Sequence, residues 1–299
     1  MMGPIMKLII VGIAFFVCQI AWAAGPLKVI FPASESLQDT RFIDLVEMLK
    51  VSLDKTVEQY GPYSLEETPL AMSEARYLAE LDRGSSVLNV AWSSTSEEKE
   101  RLMRPIRIPL RKGLLGYRIS LITEETQAKF DTLENLSDLR LLSIGQGLGW
   151  GDIQVYEKNG FHVVTASSYE GLFKMLAQRR FDHFPRGVNE IFAEYQARRD
   201  YLSQIQIERR TLIYYPWPYY FFVSKQHPKL AERIERGLNI MIADKTFDQI
   251  FLKHHGDSIN KAHLSERRAF VIKNPFLPKE TPVRRKELWY DPLNLMSQI

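Results

Sequence analysis

Residues 132–167, TLENLSDLRLLSIGQGLGWGDIQVYEKNGFHVVTAS, change character three times in quick succession. TLENLSDLR (132–140) reads as a short helix opened by Thr132, and LLSIGQG (141–147) as a buried strand. WGDIQVYEKNG (150–160) reads as a helix and FHVVTAS (161–167) as another strand. Helices alternating with strands at this spacing predict an α/β body, a mostly parallel sheet with helices on its faces.

The same alternation extends upstream. LKVIFPAS (27–34) reads as a strand, and residues 41–61 carry Phe42, Leu45, Val46, Leu49, Leu53 and Val57 at helical spacing before Gly61. YSLEET (63–68) alternates like a strand, Ser73 to Gly84 frames a helix, and VLNVAW (87–92) is a third buried strand. A polar helical turn and two extended pieces fill 95–123. Downstream, SYEGLFKMLAQRR (168–180) puts Tyr169, Leu172, Phe173 and Leu176 on one face, and FDHFPRGVNEI (181–191) passes from strand to helix. In that following helix Ile191, Phe192 and Tyr195 form the buried side. TLIYYPWPYYFFVSK (211–225) is extended, and Pro216 and Pro218 predict an edge or crossing strand. A long helix with Leu230, Ile234, Leu238 and Met241 on one face follows, then a helix closed by Gly256, then a proline-rich extended tail. Two α/β units in series with a late return segment predict two lobes, two crossing strands and a central cleft. In open α/β sheets, ligands bind at the carboxyl ends of the strands.

At 299 residues the chain is long enough for two lobes with sizeable cores, and 45% hydrophobic with 25% charged residues is ordinary globular composition. A formal charge of +3, scattered in pairs such as Arg179-Arg180 and Arg209-Arg210, argues against nucleic acid as a partner. Near the start, Lys7, the apolar run LIIVGIAFFVC and Ala21-x-Ala23 match a secretory signal cleaved after Ala23. The run is shorter than the roughly 20 residues of a spanning helix. Phe-Phe-Val before Cys18 is a poor lipoprotein cleavage site. Cleavage removes Lys7 and no acid, taking the charge from +3 to +2, and removes the single cysteine. The exported chain then has no disulfide or thiolate site, and a bacterial periplasm is the expected location.

The ordered set of phrases resembles a type II periplasmic solute-binding protein of the amino-acid-binding (bacterial family 3) kind, over residues 26–258. Residues 227–256, with the turn Asp244-Lys245-Thr246, look like that family's closing helices, and 133–147 like its entry into the second lobe. Residues 167–184 look like its helix-strand unit, while 104–122 and 149–161 are similar to a stand-alone subgroup whose ligands are poorly defined. With the signal peptide at 1–23 and the extended tail at 259–299 already read from the residues, the resemblance implies lobe 1 at 24–120, lobe 2 at 121–215, and a return strand and helices at 216–258. It implies no cofactor, a small-molecule solute, and an inner-membrane permease of ABC type or a membrane sensor as partner.

In the family a ligand carboxylate meets an arginine shortly after the third strand, beside a loop bearing Ser or Thr. AWSSTSEEKER (91–101) occupies that place, so Trp92 is expected to stack on a ligand, Ser94 and Thr95 to donate to it, and Lys99 or Arg101 to meet an anion. The plain alternatives are core packing for Trp92 and a solvated turn for the two cations. In GQGLGWGD (145–152), Gly147 lets backbone N–H groups approach a ligand, and Trp150 and Asp152 are expected to line the cleft. A dinucleotide fingerprint fails there, because Trp150 stands where the third glycine belongs and no acid ends the next strand.

Alignment on the family's helix-strand unit places Arg186 about where an acidic residue usually receives the α-ammonium group. A guanidinium there, in a partly desolvated cleft, would repel an α-amino acid and favour an acidic or uncharged ligand, or one lacking the α-ammonium group. The alternative is that Arg186 points to solvent or braces the hinge by pairing with Glu190. From the aromatic run 214–222, mostly core, Trp217 and Tyr219 are the residues expected to face the cleft. His254 and His255 are adjacent on a helix and share no face, so no metal site is expected. The chain after the expected cleavage has no nucleophile elbow, HExxH motif or thiol. The chain therefore reads as a non-enzyme. Its alternatives are a dehydratase-like enzyme using Asp152 and Glu190, or a ligandless signalling or structural partner.

Overall fold

The computed structural model describes residues 25–34 and 41–298. The expected signal peptide lies outside them. Among the described residues no helix is long and apolar enough to cross a membrane.

The first lobe begins with β1 (Leu27–Phe31), α1 (Ile43–Asp54), α2 (Val57–Tyr60), β2 (Tyr63–Glu67), α3 (Glu74–Asp82), β3 (Val90–Ser94), α4 (Glu97–Leu102) and β4 (Arg104–Ile106). The chain then crosses and builds the second lobe. This comprises β5 (Tyr117–Thr123), α5 (Glu124–Asp131), α6 (Leu136–Leu139), β6 (Ile144–Gly147), α7 (Asp152–Lys158), β7 (Val163–Ala166), α8 (Tyr169–Ala177), β8 (His183–Gly187), α9 (Val188–Gln196), β9 (Ile205–Ile207) and β10 (Thr211–Tyr214). It returns as β11 (Tyr219–Val223), α10 (Pro228–Ala243) and α11 (Thr246–Ala262), and ends beyond β12 (Arg268–Val271).

β1 pairs with β2 in parallel, and β11 lies between β3 and β4. The second lobe's sheet runs β12-β10-β5-β8-β6-β7, with β9 added to β5. Its β7, β6 and β8 are mutually parallel, whereas β5 runs against β8 and β10. All seven residues of β5 are buried, as a strand covered on both faces requires. One apolar cluster runs from Val29, Leu45 and Phe221 to Leu121, Phe173 and Phe184, so it is shared by both lobes.

Five local expectations change. α5 goes unannounced because Thr126 and Gln127 take buried positions beside Phe130, hiding the apolar period. Thr132 closes α5, and the true cap of α6 is Asn135, in a reciprocal capping box with Asp138. Pro216 and Pro218 sit between β10 and β11, so each strand is interior to its sheet and the prolines occupy the crossing. α11 passes through Gly256 to Ala262, because Phe247, Ile250, Phe251, His255 and Ala262 bury one face and outweigh the glycine. Finally, the tail is not wholly extended, since β12 joins β10 in parallel.

Candidate functional site

The carboxyl ends of β1, β2 and β3 open onto a cavity of about 390 Å³ lined by Pro32, Ser34, Phe42, Glu74, Tyr77 and Trp92, among others. Trp92 is only 2% exposed and packs against Phe31, Phe42 and Phe221, so it is largely lobe-1 core with an edge on the cavity. Its Nε1 has no hydrogen-bond partner. At the end of β3, Ser94 stands opposite Tyr219. Lys99 turns back onto this strand end, donating to Ser93 Oγ (2.6 Å) and the Ser94 carbonyl (3.0 Å). Thr95 donates to Glu100 at 2.7 Å, which Arg107 also holds. Arg101 is not part of this group. It is exposed, and its carbonyl accepts from Lys225, which follows the β11 residue paired with Val90 at the far end of β3.

In the crossing segment before β5, Arg111 is buried and clasps Asp44 through Nε (2.6 Å) and Nη2 (2.8 Å), while donating to the Arg41 carbonyl. His255 shares Asp44 at 3.0 Å. Burial pushes the Asp44 carboxyl up, but the Arg111 charge and the bonds from Arg111 and His255 outweigh it and hold it far below the usual range. Arg111 also lies 5.7 Å from the Tyr219 ring.

On the second lobe, β8 turns Phe184 and Arg186 to one face. Arg186 is 6% exposed and bidentate to Glu194, with Nε and Nη2 each at 2.7 Å, and Nη2 lies 3.2 Å from Glu190 Oε2. The guanidinium lies beside the stacked pair of Trp150 and Phe184, 4.9 and 5.0 Å from the ring centroids. Burial works against its charge, and Glu190 and Glu194 more than offset it. The expectation of an open guanidinium repelling an ammonium group is therefore corrected: two carboxylates on α9, four and eight residues on, neutralise it. Glu190 is the more open of the two, its side chain 30% exposed. Burial raises its pKa, but Arg186, Arg118, the Gly187 N–H and Arg111 together hold it below the usual range.

Arg118, missed from sequence, lies opposite Gly187 in β5 and is buried. It reaches Asp152 Oδ2 at 2.8 Å and Glu190 Oε2 at 3.8 Å, and Tyr215 donates to the same Asp152 oxygen at 2.9 Å. One arginine inside the apolar strand YRISLIT was the available signal, since a buried cation requires a partner. Among the described residues, Arg118 Nε, Asn189 Oδ1 and both amide atoms of Gln146 are buried without hydrogen bonds.

The glycine loop also differs from expectation. A Cβ at Gly147 would stand 2.3 Å from the Trp150 ring, so the indole itself covers the strand end where a ligand was expected to approach. Trp217 lies likewise 3.0 Å from a Cβ at Gly151, and its ring meets Tyr215 edge-on. The second-lobe group is thus Trp150, Asp152, Arg118, Arg186, Glu190 and Trp217 around Gly147. The first-lobe group is Trp92, Ser94, Thr95, Lys99, Tyr219 and Arg111.

No family model matches the sequence, and no curated protein matches it. Solved structures do match. An ancestral arginine-binding protein bound to arginine aligns with 77% of this chain and 98% of its own, at 20% identity and TM-score 0.52. The chain has the fold of the type II periplasmic binding proteins of the amino-acid-binding kind. An arginine-specific periplasmic binding protein of Salmonella typhimurium aligns with 77% of this chain and 99% of its own, at 12% identity and TM-score 0.55. A putative ABC-transporter binding component of Wolinella succinogenes, complexed with lysine, covers 78% and 96% at 12% identity and TM-score 0.55.

Proposed function

We propose that the chain binds a small polar solute by closing its two lobes. It acts in the periplasm and passes the solute to an ABC-type permease, or its bound state to a membrane sensor. The observation that carries the reading is the gathering of charged and aromatic side chains at the strand ends of both lobes, on either side of a two-segment crossing. Burying such groups is costly unless they are paired and hydrogen-bonded, and a few placed polar groups beside aromatic walls are what orient a small ligand in a cleft.

The charge preference follows from Glu190 rather than Arg186. With Arg186 balanced by Glu194, the ground for expecting an acidic solute falls away, and Glu190 is the more open of the two carboxylates beside it. The matched structures hold arginine, lysine or, in another ancestral protein, glutamine. Those ligand classes therefore enter the screen beside organic acids and sugars.

Thermal-shift screening followed by calorimetry tests the reading. A binder raises its melting temperature with one class and leaves that solute chemically unchanged. A flat response across all classes would overturn it in favour of a ligandless partner. The enzyme alternative needs Asp152 and Glu190 as proton carriers. Asp152 is clasped by Arg118 and Tyr215, and Glu190 is held as an anion, which favours binding over proton transfer.

A further inference from the structure

Two segments join the lobes: 107–116 between β4 and β5, and 215–218 between β10 and β11. Residues beyond α11 touch both. After β12, Ile272 donates to the Tyr214 carbonyl (2.9 Å) and Asn274 to the Pro216 carbonyl (3.0 Å), which ties the chain to the second crossing. It then reaches the first crossing. Tyr290 N donates to the Lys112 carbonyl (2.8 Å), and Lys112 Nζ donates to the Glu287 carbonyl (2.9 Å) and to Asp248 of α11 (2.6 Å). The Trp289 ring lies over Gly113, where a Cβ would stand 2.5 Å from it at a left-handed φ of 71°.

The last turn closes on the strands themselves. Tyr117 and Tyr214 face each other across β5 and β10 with ring centroids 4.5 Å apart. The Tyr117 hydroxyl donates to the Tyr290 carbonyl (2.8 Å), and the Tyr214 hydroxyl to Met296 Sδ (2.7 Å). Asp291 accepts from the N–H groups of Leu295 and Met296, folding this end into place. Leu288, Trp289 and Leu295 are buried in the cluster shared by both lobes. The solved structures are covered almost end to end by about three quarters of this chain, so a substantial part of it has no counterpart there.

We propose that residues 264–298 form a strap that biases the two crossings toward one angle in the solute-free protein and restricts lobe motion, so that closure must work against it. Hinge closure proceeds through φ/ψ changes at a few residues between rigid bodies. Here those residues, Lys112, Gly113 and Pro216, are bonded to or covered by the strap. The proposal is independent of the solute and is read in solute-free protein.

Spin labels at Leu70→Cys in the first lobe and Leu141→Cys in the second, both exposed, report the interlobe distance in a Cys18→Ser background. A protease site inserted between Val283 and Arg284 allows the strap to be cut after folding. The intact chain should give one narrow distance. Cutting and releasing residues beyond 283 should broaden it and shift it by several ångströms, and adding back a peptide of residues 286–298 should restore it. Trp289→Ala with Leu295→Ala in the uncut chain should move it the same way by less. An unchanged distribution after the strap is shown to have left, or in the folded double variant if the cut segment stays bound, would overturn the proposal. Should the double variant fail to fold, the cut chain decides.

Discussion

Glu190 Oε2 occupies the space into which a side chain on Gly187 would grow. A Cβ at Gly187 would stand 3.0 Å from that oxygen and 2.8 Å from Asn189 Oδ1. The same oxygen accepts from Gly187 N at 2.9 Å and lies beside Arg186 and Arg118. Gly187 therefore keeps the carboxylate both capped and aimed. Gly187→Ala should displace Glu190 and weaken the cap, costing about 1 kcal/mol. Urea denaturation checks the stability, and calorimetry with the solute found by screening should show weakened binding. Unaltered binding would remove Glu190 from the recognition set.

Arg186 belongs to the stability of the second lobe more than to its selectivity. Removing it leaves Glu194, 12% exposed, as an uncompensated carboxylate, and Arg186→Leu should cost roughly 3–5 kcal/mol. Adding Glu194→Leu should recover part of that loss. A double-mutant cycle should give a coupling of about 1–3 kcal/mol, and independent additive effects would contradict the bidentate pairing.

Acid lability has two sources with one sign. Burial lowers the His183 pKa to about 3, its ring bonded only through Nδ1 to Ser120. Burial likewise lowers His255. The unfolded chain, with histidine near 6.5, binds the proton first as pH falls. For His183 that stability is thus complete above about pH 6.5 and drains away toward pH 3, and His255 changes in the same direction. Between pH 6.5 and 5, His183 alone should account for a loss of roughly 2 kcal/mol. Asp44 adds its own loss only below about pH 4, where the unfolded carboxyl takes a proton. Melting curves of His183→Gln should show a flatter dependence over pH 5–7. An equally steep variant would point to other groups.

The order of strands and helices was legible because buried strands such as YRISLIT are apolar runs, VLNVAW carries the first half of β3, and the long helices keep a 3.6-residue period. The site was legible only in outline. Arg186 drew attention as a cation in an apolar setting, but its partner Glu194 lies beyond a strand-to-helix turn, where neither spacing rule applies. Arg118 and Asp152 are far apart in sequence and meet only once β5 lies beside β8. The strap was hidden for the same reason, since Trp289 has meaning only against Gly113.

Gly256 and Gly237 show how differently two helical glycines act, and the contrast is measurable. At Gly256 a Cβ meets nothing within 4 Å, and the helix continues to Ala262. Gly256→Ala should therefore stabilise the chain by about 0.5–1 kcal/mol, by raising helix propensity and restricting the unfolded chain. At Gly237 in α10 a Cβ would lie 2.0 Å from the Ser52 carbonyl oxygen of α1. That neighbour is backbone and cannot swing aside, so Gly237→Ala must push two packed helices apart and should cost about 1–3 kcal/mol or more. Chemical denaturation of the two variants should move the midpoint in opposite directions. A stabilising Gly237→Ala would mean that α1 and α10 are not in contact at this point.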